Sequence, residues 1–386
     1  MKRGDDRILT THAGSLPRPP SLVDLFVSLS KREKVDEAAL AAQIHDATVD
    51  VVRRQQDAGI DVGNNGEEAR ESFFTYVQHR LSGYGGQSNR PLMRDILLEG
   101  FLEQKMPDFS RKSVTLMQAP QAIADVHHAT IEPLREECDG FDSALKESGA
   151  AFGETFMTAA SPGIVCAGMM NSHYATDDDY VTAVADALRP EYEYIVERGY
   201  VLQLDCPDLA MERHVACADA SLGEFQAYVR RNIAAINRAI DGLPRDRIRM
   251  HVCWGNYEGP HHLDVPLEDV LTLYYEANVG ALLLPFANPR HAHEWRAVEK
   301  FPPPHNWLII AGVIDTTTNY IEHPQVVADR LECVAMAVGD PRRVLAGTDC
   351  GFGTSAGFGE CAPGVVWEKL RSLRAGADIA SARLFG

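Results

Sequence analysis

Short runs rich in apolar and β-branched residues punctuate the chain at 8–14, 60–64, 156–163, 201–207, 248–254, 281–286, 308–315 and 344–351. Most end in polar, Gly or Pro residues, and between most of them the apolar positions recur at helical spacing, as in 39–58 and 177–198. Nearly continuous apolar strands alternating with helices predict an α/β fold whose parallel sheet is buried on both faces. Eight such runs fit a closed (β/α)8 TIM barrel. The interval 67–153 is too long for a single crossover, so an insertion is expected after the second strand, at about 68–150. Within it, 113–118 reads as an extra strand and 83–89 as a Gly-rich loop. The expected organisation is one barrel domain over 1–386 carrying that insertion.

A length of 386 residues is enough for such a barrel. With 55 acidic against 37 basic side chains the net charge is −18, which repels phosphate backbones and anionic lipid surfaces. Nucleic acid and membrane are therefore not expected as partners, and a homo-oligomer is compatible with the composition. The opening MKRGDDRILTTHAG lacks the apolar stretch of a signal peptide, and no apolar run approaches the ~20 residues of a membrane span. Eight cysteines scattered over a long chain read as thiols or metal ligands, and the expected compartment is the cytoplasm.

The chemistry gathers where the runs end. The run at 248–254 carries His251 and Cys253, which alternation points to the same side of a strand. Cys350 arrives from the end of the last run. One His and two thiolates suit zinc and leave it a position for substrate, whereas a lone HxC, without the barrel context, is more readily a buried His beside an inert core Cys. Other run ends carry Thr11, His12 and Ser15; Asn64, Asn65, Glu67 and Glu68; Asp205 and Asp208; and Asp315 to Asn319. Any one of these could simply cap a helix, but together they predict a polar rim at the C-terminal end of the barrel, where such barrels keep their active sites.

The segments THAGSLPRP, LQLDCPDLA, HVCWGNYEGPHH, FANPRHAHEW, GVIDTTTNYIEHP and AGTDCGFGT, in that order, resemble the cobalamin-independent methionine synthase superfamily. The similarity is to its single-barrel members, a branch that also holds the epoxyalkane:coenzyme M transferases. It runs from about residue 8 to the C-terminus. The resemblance implies zinc on His251, Cys253 and Cys350, with Ser15, Glu67 and Asp205 gripping an amino-acid thiol. Two positions depart from the pattern. Pro285 stands where the synthase has a glutamate zinc ligand, and Thr317 stands near its proton-donating histidine.

The expected activity is zinc-dependent S-alkylation, a methyl group passing from a donor to a small thiol such as homocysteine. A free thiol, with pKa of about 8.5, is mostly protonated at neutral pH, so the chemistry needs a group that yields the thiolate. His12, Glu67 and His261 are the candidate acid–base residues, and Arg290 could hold a carboxylate or sulfonate through its planar fork. The departures at Pro285 and Thr317 favour an alternative of the epoxyalkane:coenzyme M transferase type, opening an epoxide or cleaving a C–S bond. Metal-free decarboxylation of the uroporphyrinogen decarboxylase type is a third reading, which HxC together with DCG opposes.

Overall fold

A computed structural model describes residues 1–31, 33–101 and 119–386. Two helices, α1 (Pro20–Ser30) and α2 (Glu37–Asp57), lead into β1 (Val62–Gly63). An antiparallel pair follows, β2 (Leu81–Gly85) with β3 (Gln121–His128), and then α3 (Glu132–Ser148). From there strands and helices alternate: β4 (Glu154–Ala160), α4 (Pro162–Gly168), α5 (Asp177–Glu197), β5 (Val201–Asp205), α6 (Leu222–Ala239), β6 (Ile248–His251) and α7 (Leu271–Tyr274). The series ends with β7 (Ala281–Pro285), α8 (Trp295–Lys300), β8 (Leu308–Ile314), α9 (Pro324–Val338), β9 (Val344–Thr348) and α10 (Pro363–Phe385).

Seven of these strands form one sheet in the order β1-β4-β5-β6-β7-β8-β9, each neighbour parallel. The first apolar run closes it. Thr11 N–H donates to the Ala346 carbonyl (2.8 Å) and Ala346 N–H to that of Leu9 (2.8 Å), while Val62 N–H reaches the Thr10 carbonyl (3.0 Å). Residues 9–11 thus lie between β9 and β1 as the eighth stave, although only Thr10 makes a regular bridge. Every residue of β5 to β9 is buried. Helices cover the outside of the sheet and side chains fill its inside, so both faces are buried, and in β5 and β6 every second residue is polar (Gln203, Asp205, Arg249 and His251).

Helix starts follow the sequence signals. Asp36 accepts from Ala38 and Ala39 N–H ahead of α2, and Ser221 with Glu224 forms a reciprocal capping box for α6. Between β1 and β4, α3 packs on α2, and the β2–β3 pair lies outside the barrel sheet. The expected Gly-rich loop at 83–89 is in part β2 itself, which bulges between Ser82 and Tyr84. The expected strand at 113–118 lies outside the described residues. Among the described residues, no helix is long and apolar enough to cross a membrane.

Buried charge ties this crossover to the barrel. Glu137 on α3 pairs with Arg70 (2.9 Å) and Arg80 (2.7 Å), and Arg80 also pairs with Glu191 (3.0 Å). Burial alone would raise the pKa of Glu137, but the two guanidiniums outweigh it and hold the carboxyl down at about 2. Arg70 in turn donates to Thr158 Oγ1 on β4 (2.9 Å), which brings the network to the mouth of the barrel.

Candidate active site

His251 is the last residue of β6, Cys253 follows two positions on, and Cys350 sits two residues beyond β9. Their ligand atoms all lie within 4.8 Å of one another, and all three residues are buried. The two sulfurs are 3.7 Å apart. That is far beyond a disulfide bond of about 2.05 Å. It matches the edge of a tetrahedron with metal–sulfur bonds of about 2.3 Å, roughly 3.8 Å. His251 Nδ1 faces Asp205 Oδ1 at 3.0 Å. Donation of the Nδ1 proton to that carboxylate leaves the Nε2 lone pair for a metal, an arrangement typical of metal-binding histidines. Donor chemistry and spacing therefore fit zinc.

The protonation pattern favours an anionic sulfur. The hydrogen bond with Cys350 holds the Cys253 thiol well below its ordinary range, against burial and with help from His251. The same bond pushes Cys350 up. Burial would lower the pKa of His251, but the neighbouring Cys253 and Asp205 raise it to about 10.

Beside these groups opens a cavity of about 590 Å³, whose wall includes Ser15, Glu67, Asp205, His251, Cys253 and Cys350. Much of the rest is apolar, with Phe73, Phe74, Met93 and Ile96 among the lining residues. Ser15 is reached through Gly14, whose φ of +136° favours glycine. The Ser15 carbonyl accepts from Phe352 N–H (2.8 Å), locking this turn to the loop that carries Cys350. A Cβ on Gly351 would overlap Ser15 Oγ. Gly351→Ala is therefore expected to cost about 1–3 kcal/mol through overpacking, read as a lowered midpoint in chemical denaturation.

Glu67 sits at φ +60°, unusual for a residue with a side chain. Its N–H donates to Asn65 Oδ1 (3.0 Å), and Arg18 donates to its carbonyl (2.7 Å). Oε1 accepts from Thr158 (2.9 Å), whereas Oε2 is buried with no partner. Burial raises its pKa to about 7; Arg70 opposes the rise and nearby Asp205 adds to it. Asp205 Oδ1 accepts from Gln203 Nε2 (2.8 Å). Two carboxyl groups thus border the cavity, one with an orphan oxygen, and a cation such as an ammonium would satisfy both.

The other sequence candidates lie elsewhere. His12 is buried under the Ser15 turn, with Nε2 on Gln55 Oε1 (2.9 Å) and Nδ1 accepting from Gly14 N–H (3.2 Å). Burial lowers its pKa to about 4, so it is a neutral prop for the turn and does not line the cavity. Arg290 is exposed and donates to the His262 carbonyl (3.2 Å), away from the cavity. His261 belongs to a separate buried cluster with Asp264 and His291. Pro285 and Thr317 line a hollow of about 20 Å³ together with Cys253, Cys350 and His291, a space for about one water.

Sequence reasoning missed the polar layer inside the barrel. Arg249 donates to Gln203 Oε1 (2.8 Å) and to the His12 carbonyl (3.1 Å), and Gln203 in turn holds Asp205. Burial lowers the pKa of Arg249 to about 9. The signal was present: Gln203 and Arg249 stand two residues before Asp205 and His251, so alternation puts each on the same side as its functional neighbour. Asp349 is a second supporting group. Its carboxylate accepts from Phe286, Ala287 and Asn288 N–H at 2.6–3.0 Å, pinning the end of β7 to the Cys350 loop.

No family model matches the sequence. The methionine synthase of Sulfurisphaera tokodaii is 25% identical over 347 residues, covering 89% of this chain and 85% of that protein. That of Sulfolobus acidocaldarius is 26% identical over 346 residues, with the same coverages. Among solved structures, a B12-independent methionine synthase from Shewanella sp. W3-18-1, in complex with selenomethionine, superimposes with a TM-score of 0.72. It is 21% identical, covering 98% of this chain and 99% of that one. Over most of its length the chain is thus similar in sequence to methionine synthases, and it shares the fold of a B12-independent one.

Proposed function

We propose that the chain is a zinc-dependent thiol S-alkyltransferase that moves a methyl group to homocysteine or a related small thiol. Convergence of His251, Cys253 and Cys350 at the wall of a cavity that also presents Glu67 and Asp205 carries the proposal. Relatives named methionine synthase, aligned over most of their length, support the choice of homocysteine.

The roles follow from the geometry. His251, Cys253 and Cys350 would hold the zinc, with Asp205 fixing the His251 ring. When bound, zinc supplies the Lewis acidity that strips the proton from an incoming thiol and keeps its sulfur nucleophilic at neutral pH. Glu67, through its orphan Oε2, and Asp205 would hold the ammonium of the amino-acid thiol. Ser15, on the wall of the same cavity, would hydrogen-bond its carboxylate. The apolar wall excludes water from the approach of the alkyl donor, so that the sulfur meets carbon in preference to solvent.

The alternative is epoxide opening by the same kind of sulfur nucleophile. Pro285 and Thr317 at the edge of the site favour it, because neither side chain offers the zinc ligand or the proton donor of the synthase pattern. Parallel incubations separate the two. Homocysteine with methylfolate or methylcobalamin is expected to yield methionine. Product only from coenzyme M with an epoxide would replace the first proposal by the second.

A further inference from the structure

A second constellation of metal-ligating side chains lies beside the first. His261 Nδ1 and His291 Nε2 both face Asp264 Oδ2, at 2.9 and 2.8 Å, and the three residues are buried. His214 Nε2 approaches the other oxygen, Oδ1, at 3.0 Å. The cluster is not part of the large cavity, and the proposed alkyl transfer leaves it without a role. His261 and His291 do line the small hollow that Cys253 and Cys350 also border.

Nitrogen bookkeeping shows that something positive belongs between these groups. His261 Nε2 is 3.1 Å from the Tyr257 carbonyl, an acceptor, so Nε2 carries a proton. In a neutral ring Nδ1 is then a bare lone pair pointing at a carboxylate lone pair. His291 faces acceptors on both sides as well, Asp264 through Nε2 and Glu294 Oε1 through Nδ1 at 3.7 Å. His214 lies between Asp264 and Asp95 Oδ1, the latter 3.6 Å from its Nδ1. Several of these polar atoms have no hydrogen-bond partner although buried: His214 Nδ1 and Nε2, His291 Nδ1, Asp95 Oδ1 and Asp264 Oδ1. Buried polar groups left in this state are costly. Around Asp264 Oδ2, either buried imidazolium ions or one divalent cation between neutral His261 and His291 rings resolves the conflict.

The surroundings fix the imidazoles as they do around metal ions. Trp254 stacks on His291 with ring centroids 4.2 Å apart, and its own N–H is tied to the Val265 carbonyl (2.8 Å). Tyr257 lies against the His261 ring at 4.3 Å and anchors to Asp95 by its hydroxyl (2.5 Å). His261 is held at φ +52°, a backbone state that costs energy in a non-glycine residue and clusters at ligand clamps. The Tyr257 carbonyl on the far nitrogen of His261 is the partner a metal-binding imidazole ordinarily has.

We infer that His261, His291 and Asp264 form a second, thiolate-free binding site for a divalent first-row transition ion, with His214 and Asp95 as its outer support. Two imidazoles and one carboxylate suit Zn²⁺ or Fe²⁺ and disfavour Mg²⁺ and Ca²⁺, which take oxygen sets. The ion would brace the segment 254–264 against the start of α8, behind the thiolate pair.

Cobalt titration of the full chain tests this, because Co²⁺ gives intense sulfur-to-metal charge transfer only where thiolate is bound. The wild-type protein is expected to take up two equivalents, with only one adding charge-transfer absorption. A Cys253→Ala/Cys350→Ala variant should retain one equivalent free of that band, and the further change His291→Ala should abolish it. Binding that stops at one sulfur-ligated equivalent in the wild type overturns the second site and leaves the alkyltransferase proposal intact. Two equivalents without charge transfer would overturn the thiolate site and leave the second one standing. The wild-type titration decides even where the double variant fails to fold.

Discussion

Cys350→Ser is expected to lose the thiolate-site metal and to reduce alkyl transfer by roughly 10³-fold, about 4 kcal/mol of transition-state stabilisation. The substitution removes one of two sulfurs only 3.7 Å apart and leaves Cys253 beside a hydroxyl, a poor zinc ligand. Cys350 is buried at the cavity wall, so no exposed side chain can replace it without moving the β9 end. Metal content by elemental analysis and kcat/KM measured on the same preparation check both halves of the expectation. Cys333→Ser on α9 is the control: that thiol is half-buried on an outer helix and its loss should leave both values unchanged. Full activity in a metal-depleted Cys350→Ser protein would contradict the proposed chemistry.

Glu67→Gln should weaken homocysteine by about 2–4 kcal/mol, roughly 30- to 10³-fold in KM, by taking away a buried charge that faces the substrate ammonium. A thiol lacking that ammonium, 3-mercaptopropionate, should lose almost nothing, and this contrast separates recognition from a general collapse of the site. A pH dependence follows from the same residue. Burial holds the Glu67 pKa at about 7, so below that pH the carboxyl is neutral in the folded protein and cannot pair with an ammonium. Homocysteine KM should therefore fall as pH rises through about 7, and the Gln variant should lose that step. An unchanged step in the variant would assign the titration to another group.

Asp205→Asn probes the support of the metal ligand. Asp205 accepts from His251 Nδ1 at 3.0 Å, and outer partners of this kind contribute about 10–100-fold to metal affinity or activity. Zinc affinity measured by chelator competition should fall within that range. A change in homocysteine KM alone would limit Asp205 to substrate binding.

How much the sequence disclosed depended on the periodicity available at each place. The staves from β4 to β9 are mostly apolar runs, and the ends of β5, β6 and β9 carry Asp205, His251, Cys253 and Cys350, as the ends of the first run and of β1 carry Ser15 and Glu67, so the candidate metal and substrate residues could be named from the sequence. The first stave was recognised as a run, yet its ladder is carried by residues 9–11 alone, a length at which strand patterning says little. The region 68–150 was harder because its described residues mix a hairpin, 3₁₀ turns and one barrel helix with no common period. His12 and Arg290 show the limit of residue type as a guide. A histidine at a strand end and an arginine in a polar loop look alike in sequence whether they face the cavity or, as here, support a turn and lie at the surface. The Asp264 cluster was invisible for another reason. His261 and Asp264 share one loop, but His214 and His291 come from two others, and no spacing rule links residues that only the folded barrel brings together.

X-ray absorption at the zinc edge, on protein loaded with one zinc per chain, tests the centre of the account most directly. The expected first shell holds two sulfurs in the resting protein and three after homocysteine is added, as His251, Cys253 and Cys350 make room for the substrate sulfur. A shell without sulfur, or a sulfur count that homocysteine leaves at two, would contradict it.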